Sequence, residues 1–216
     1  MDNQLPSTAD KRIPTRQKIV DCAVNLFASN GYTETSVRDI ALAVGINASS
    51  LYNHFKSKED ILRYLLDNFD EQTESMYSKP DIITILRENP TVDGILVCFE
   101  AILSFITDDP HFKTLQVIYQ EHHRNDLVKA YVARTILESE DYIARIFTAL
   151  KDLNIIKQDS DPDFWKKTAS SMLYTYPNRT MIGIGHGYSD YAGMDLKAFL
   201  HYMFSLVLKL YGVSDS

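Results

Sequence analysis

The stretch Ser36–Lys58, SVRDIALAVGINASSLYNHFKSK, decides how the whole chain is read. Ser36 with Asp39 three residues on is a variant of the capping box, in which a hydroxyl and a carboxylate each take a backbone N–H at a helix start. Val37, Ile40, Ala41 and Val44 then recur at helical spacing, and Gly45 ends the segment after about two turns. Beyond Gly45-Ile46-Asn47 a third short helix places Leu51 and Phe55 inward at i, i+4, while Ser49, Ser50 and Asn53 face elsewhere. Two short helices joined by a tight glycine-containing turn form a helix-turn-helix, whose second helix enters the DNA major groove.

Upstream, Ile19, Cys22, Ala23, Leu26 and Phe27 form one buried face of a first helix that stops at Asn30-Gly31. Downstream, Ser57 with Asp60 caps a longer fourth helix through Ile61, Leu62, Leu65 and Phe69. Pro80 and Glu88-Asn89-Pro90 break the rest into helices expected over 81–88, 92–108, 111–122, 125–154, 161–182 and 195–211. No period-2 alternation intervenes, so the fold class is all-α. An N-terminal three-helix helix-turn-helix domain precedes a C-terminal helical body. The expected divisions are a flexible arm over 1–10, the helix-turn-helix domain over 11–57, a connecting helix over 58–77 and the body over 78–216.

The outward side chains of the motif suit DNA. Ser49, Ser50 and Asn53 are short donors and acceptors for base edges, and asparagine can pair bidentately with adenine. Ser36 at a helix N-terminus, Arg38, Tyr52, His54 and Lys58 suit phosphates, which set register rather than sequence. The run from TRQKIVDCAVNLFASNGY through TSVRDIALAVGINASSLYNHFKSKEDIL resembles the DNA-binding domain of the tetracycline-repressor (TetR) family. The resemblance rests on Gly31-Tyr32, Thr35-Ser36, Ile40-Ala41, Val44-Gly45-Ile46 and Leu51-Tyr52-Asn53-His54-Phe55-Lys56-Ser57-Lys58, and covers about a quarter of the chain. It implies that Ala48, Ser49, Ser50, Tyr52, Asn53, His54 and Lys58 face DNA together with Ser36 to Arg38. Ala48 can offer only an apolar contact, such as one to a thymine methyl.

The formal net charge of −7 runs against nucleic-acid binding until it is divided along the chain. Residues 1–58 hold seven Lys/Arg against five Asp/Glu, and residues 59–216 hold 15 against 24. Since phosphate attraction is screened beyond about 10 Å at 0.1 M salt, a small basic face can work on an acidic body. The longest apolar stretch, Ile95 to Ile106, is interrupted by Glu100 and Ser104, too short for a bilayer span. With a polar N-terminus, a cytoplasmic location is expected. Cys22 and Cys98 fall in helical apolar patterns and read as free thiols. Gly183, Gly185, Gly187 and Gly193 lack the Gly-Lys-Ser/Thr ending of a phosphate loop and read as a connection between helices. No catalytic cluster stands out, so no enzyme, cofactor or metal is expected.

The partners expected are double-stranded DNA, a second copy of the chain and a small-molecule effector. Two-fold geometry sets two reading helices about one DNA turn apart. The expected dimer surface is the apolar stripe of Leu196, Phe199, Leu200, Met203, Phe204, Val207, Leu210 and Tyr211. The resemblance implies that the last two helices of each subunit build a four-helix bundle, with 163–182 as the other partner and Pro177 kinking it. It also implies a ligand pocket in the body, for which Phe99, Glu100, Phe105, Tyr119, His122, His123, Met172 and Tyr176 are the candidates. The reading is a ligand-released repressor. The alternatives are a TetR-like structural or division factor without an effector, and a small helical enzyme.

Overall fold

The computed structural model describes residues 14–78, 81–161, 163–171 and 196–212. The helices are α1 (Thr15–Asn30), α2 (Val37–Val44), α3 (Ala48–Tyr52), α4 (Lys58–Ser78), α5 (Ile82–Glu88), α6 (Val92–Thr107), α7 (Asp109–Glu121) and α8 (Asp126–Asp152). Two more follow, α9 over 163–171 and α10 (Leu196–Tyr211). Among the described residues the one β feature is an isolated bridge between Ile156 and Gly212. The all-α expectation therefore stands, with helix boundaries within two residues of the expected ones where both ends are described. The arm over 1–10, the glycine cluster and the Pro177 kink lie outside the described residues.

The chain divides into two compact units after Leu65, within α4. In the first unit, α1 buries Ile19, Val20, Ala23, Val24, Phe27 and Ala28, and α4 adds Ile61, Leu62 and Leu65. Against these sit Ile40 and Ala41 of α2, Leu51 of α3 and Phe55 just beyond it. Burial of a Leu or Phe side chain is worth about 1.5–3 kcal/mol, which holds two helices too short to persist alone.

The second unit packs α5, α6, α8, α9 and α10 around one apolar core. Tyr142 sits at its centre: its ring lies 5.7 Å from Phe99 and 5.1 Å from Tyr77, and its hydroxyl donates to the Cys98 carbonyl. The same burial pushes the Cys98 thiol up to about 11, so it is a protonated, apolar filler at neutral pH. Trp165 stacks on Phe147 at 5.9 Å and meets Tyr211 edge-on at 4.8 Å. The Lys157 N–H donates to the Tyr211 carbonyl at 2.8 Å, pinning the end of α10 to the chain after α8. At the α5–α6 junction the backbone approaches itself closely, and a Cβ on Gly94 would stand 1.9 Å from the Asn89 carbonyl oxygen.

Candidate nucleic-acid interface

Assembly of the α2–α3 surface starts at the end of α1. Gly31, at φ 88°, turns the chain where an L side chain would be strained, and its N–H donates back to Phe27. Thr35 is buried, and its hydroxyl donates to the Gly31 carbonyl at 2.8 Å and to that of Leu26 at 3.3 Å. That ties down the loop from which α2 emerges. The capping box then forms: the Asp39 N–H donates to Ser36 Oγ at 3.2 Å and the Ser36 N–H to Asp39 Oδ2 at 2.8 Å. Hydrogen bonds from the Ser36 hydroxyl and then its N–H hold the Asp39 carboxyl below its ordinary range.

Gly45 ends α2 in the left-handed region at φ 80°, ψ 30°, and Ile46 N–H donates to Ala41 at 3.0 Å. Asn47 starts α3 by accepting the Ser50 N–H at 2.7 Å. With both ends of the turn fixed, Leu51 and Phe55 point inward at 0% and 1% exposure. Ser49, Tyr52 and Asn53 are exposed, and Ala48, Ser50 and His54 are half-buried. Asn53 lies just past the last turn of α3 as its C-cap, in helical conformation. Ser36 and Arg38 are exposed at the start of α2. Apart from Lys58, the expected DNA-facing residues are thus exposed or half-buried on two helices whose starts are capped by Ser36 and Asn47.

Lys58 is placed differently from expectation. Its ammonium group donates to the carbonyls of Tyr32 at 2.6 Å, Thr35 at 2.8 Å and Thr33 at 3.3 Å, and lies 4.3 Å from the centre of the Tyr32 ring. Three protons directed at three carbonyls make it a clamp on the α1–α2 loop. Sequence reading also missed Arg16, whose guanidinium carbon lies 4.6 Å from the Phe55 ring centre and 4.4 Å from that of Tyr64. An arginine opening α1, with two aromatics downstream, was the available signal.

The residues expected to line a ligand pocket fall into different surroundings. Phe99 is core, stacked on Phe204 at 5.5 Å, whereas Glu100 is exposed. Phe105 stacks on His111 at 3.7 Å, and His111 Nε2 lies 3.0 Å from Gln72 Oε1. Tyr119, His122 and His123 gather at the end of α7, with His122 Nδ1 2.8 Å from the Tyr119 carbonyl and the two imidazoles 3.6 Å apart. Met172 and Tyr176 lie outside the described residues. An open cleft of about 380 Å³, lined by Asp81, Ile83, Arg145, Thr148 and Asp152 among others, includes none of the candidates.

The expected dimer stripe is corrected on α10. Leu200, Met203, Phe204 and Val207 are buried in their own subunit's core, and Phe199 and Tyr211 pack against it. The outward apolar side chains are Tyr202, Leu206 and Leu210, at 71%, 45% and 54% exposure, and only the last was expected. The Leu196 side chain lies outside the described set.

Residues 19–65 match the sequence model of bacterial regulatory proteins, tetR family. The chain is 33% identical over 139 residues to the HTH-type transcriptional repressor KstR2 of Rhodococcus jostii, an alignment covering 64% of this chain and 60% of that protein. Its fold is similar to the ketosteroid transcriptional regulator KstR2 of Mycobacterium tuberculosis, with a TM-score of 0.61, 21% identity and coverage of 96% of this chain and all of that one. It is also similar to the SmeT–triclosan complex, at a TM-score of 0.64 and 19% identity over 93% of each chain.

Proposed function

We propose that the chain belongs to the tetR family of bacterial regulatory proteins, whose sequence model its residues 19–65 match, and that it is a transcriptional repressor that binds a near-palindromic operator as a symmetric homodimer. The observation that carries this is the doubly capped α2–α3 pair, which holds Leu51 and Phe55 inward while leaving Ser49, Tyr52 and Asn53 exposed on one face. In this reading Ser49, Ser50 and Asn53 read base edges, Ala48 makes an apolar contact, and Ser36, Arg38, Tyr52 and His54 hold phosphates. The two N–H groups at the start of α2 that the box leaves over, on Val37 and Arg38, suit a phosphate oxygen.

The outward stripe of Tyr202, Leu206 and Leu210 supports pairing of two copies through α10. A small-molecule effector acting through the second unit completes the proposal, supported by a neighbour of the same fold that carries triclosan. The chain aligns with about three-fifths of the curated KstR2 relative, so the effector and the regulated genes are to be sought for this chain itself.

Selection of duplexes from a random library, followed by binding at several salt concentrations, tests the proposal. A two-fold symmetric consensus whose affinity falls steeply with salt is expected. Absence of any duplex affinity at low salt would refute it. Asn53→Ala should relax preference at one base position, and Tyr52→Ala should weaken all duplexes alike.

A further inference from the structure

Arg16 is exposed at the first turn of α1, and its guanidinium rests against the rings of Phe55 and Tyr64, themselves 5.6 Å apart and edge-on. Among the described residues it meets these two rings and has neither a hydrogen-bond nor a carboxylate partner. An arginine stacked on aromatics keeps the N–H groups of its fork available and has already lost much of its rotamer freedom. One of the rings it rests on belongs to Phe55, the residue directly after Tyr52-Asn53-His54 in the segment assigned to DNA. Lys56, next to Phe55 in sequence, is exposed as well.

We propose that the aromatic-braced Arg16 is a DNA-backbone contact, its fork taking a phosphate at the far end of the reading helix. The inference rests on the proposed DNA binding and extends the interface from the α2–α3 pair onto α1. It also supplies a bidentate cation where Lys58 is turned inward. A planar fork matches phosphate oxygens in a way an ammonium does not, so identity as well as charge matters here.

The test uses the full chain and a mixed-sequence duplex of about 30 base pairs, long enough for two half-sites about one turn apart. Neutralising one phosphate contact per protomer changes the slope of log affinity against log salt by about 0.9, so Arg16→Gln should flatten it by about 1.8 in a dimer. The loss should be equal on operator and scrambled duplexes. Arg16→Lys, which keeps the charge and the helix, should leave the slope in place and weaken binding several-fold. An unchanged slope in a folded Arg16→Gln protein would mean the arginine only staples the aromatics, and overturns the inference. Unchanged affinity in Arg16→Lys overturns it as well, and remains readable if the Gln variant fails to fold. If the unaltered protein binds no duplex, the proposed function itself falls; if it binds and the variants match it, only the Arg16 inference does.

Discussion

Replacing Lys58 by methionine keeps most of the side-chain stem and removes the ammonium group, separating two roles the position could play. In the structure that group donates to Tyr32, Thr35 and Thr33 and lies over the Tyr32 ring. Hydrogen bonds from charged donors are each worth about 1.5–3 kcal/mol net. The 3.3 Å bond to Thr33 contributes little, and water can reach part of the site, because Lys58 is only half-buried. The loss expected for Lys58→Met is therefore about 2 kcal/mol, within the range of a single charged bond. Because the clamp fixes the loop feeding α2, the cost belongs to the first unit. It should speed hydrogen exchange at protected α2 amides by about thirtyfold, since each 1.4 kcal/mol is a factor of ten in an equilibrium constant. DNA affinity should drop with the stability of the reading face while its salt slope stays near the wild-type value. Unchanged exchange together with a slope flattened by about 0.9 per protomer would refute the clamp and make Lys58 a phosphate contact.

Ser36→Ala removes the hydroxyl of the capping box and should cost about 0.5–2 kcal/mol at neutral pH. Asp39 is held below its ordinary pKa, so its contribution is complete above the unfolded value and disappears as pH falls through the lowered folded one. The stability gap between Ser36→Ala and the unaltered protein should therefore narrow below about pH 4, and a gap constant through that range would count against the box. Gly94→Ala places a methyl group 1.9 Å from the Asn89 carbonyl oxygen and should destabilise the second unit by about 1–3 kcal/mol, the range typical of overpacking. Trp165, the only tryptophan and buried in that core, reports the unfolding by fluorescence, and an unchanged midpoint would show that the junction yields freely. Leu206→Glu should turn dimer into monomer in sedimentation velocity with unchanged helicity, whereas a persistent dimer would move the interface off α10.

The first unit was the most legible part of the sequence because its determinants are local. The Ser36–Asp39 box, the Gly45 stop and the Ser57–Asp60 cap each act over three or four residues, and all three are present. Lys58 was misread for the opposite reason. Its partners are 23 to 26 residues away, and an exposed-looking lysine after an aromatic helix gives no sign that three carbonyls converge on it. Arg16 escaped notice by the same rule, its rings lying 39 and 48 positions downstream. Phe99 shows the limit for pockets: an aromatic at helical spacing looks the same whether it lines a cavity or, as here, stacks on Phe204.

The error on α10 has a geometric origin. At about 100° per residue, Leu200, Met203, Phe204 and Val207 centre on one direction, and Tyr202, Leu206 and Leu210 centre about 110° away. A sequence stripe merges the two because the gap between them is narrow on a helix whose apolar residues cover so much of its circumference. Folding separates them: the first set meets Phe99 and the α8 core, and the second is left in solvent. Mutations in the two sets must then fail differently. A charge at Phe204 removes an anchor of the core and should unfold the second unit, whereas a charge at Tyr202 touches only what two copies would share. Equal loss of fold from both would mean that α10 presents one face, and that the outward stripe belongs to the monomer.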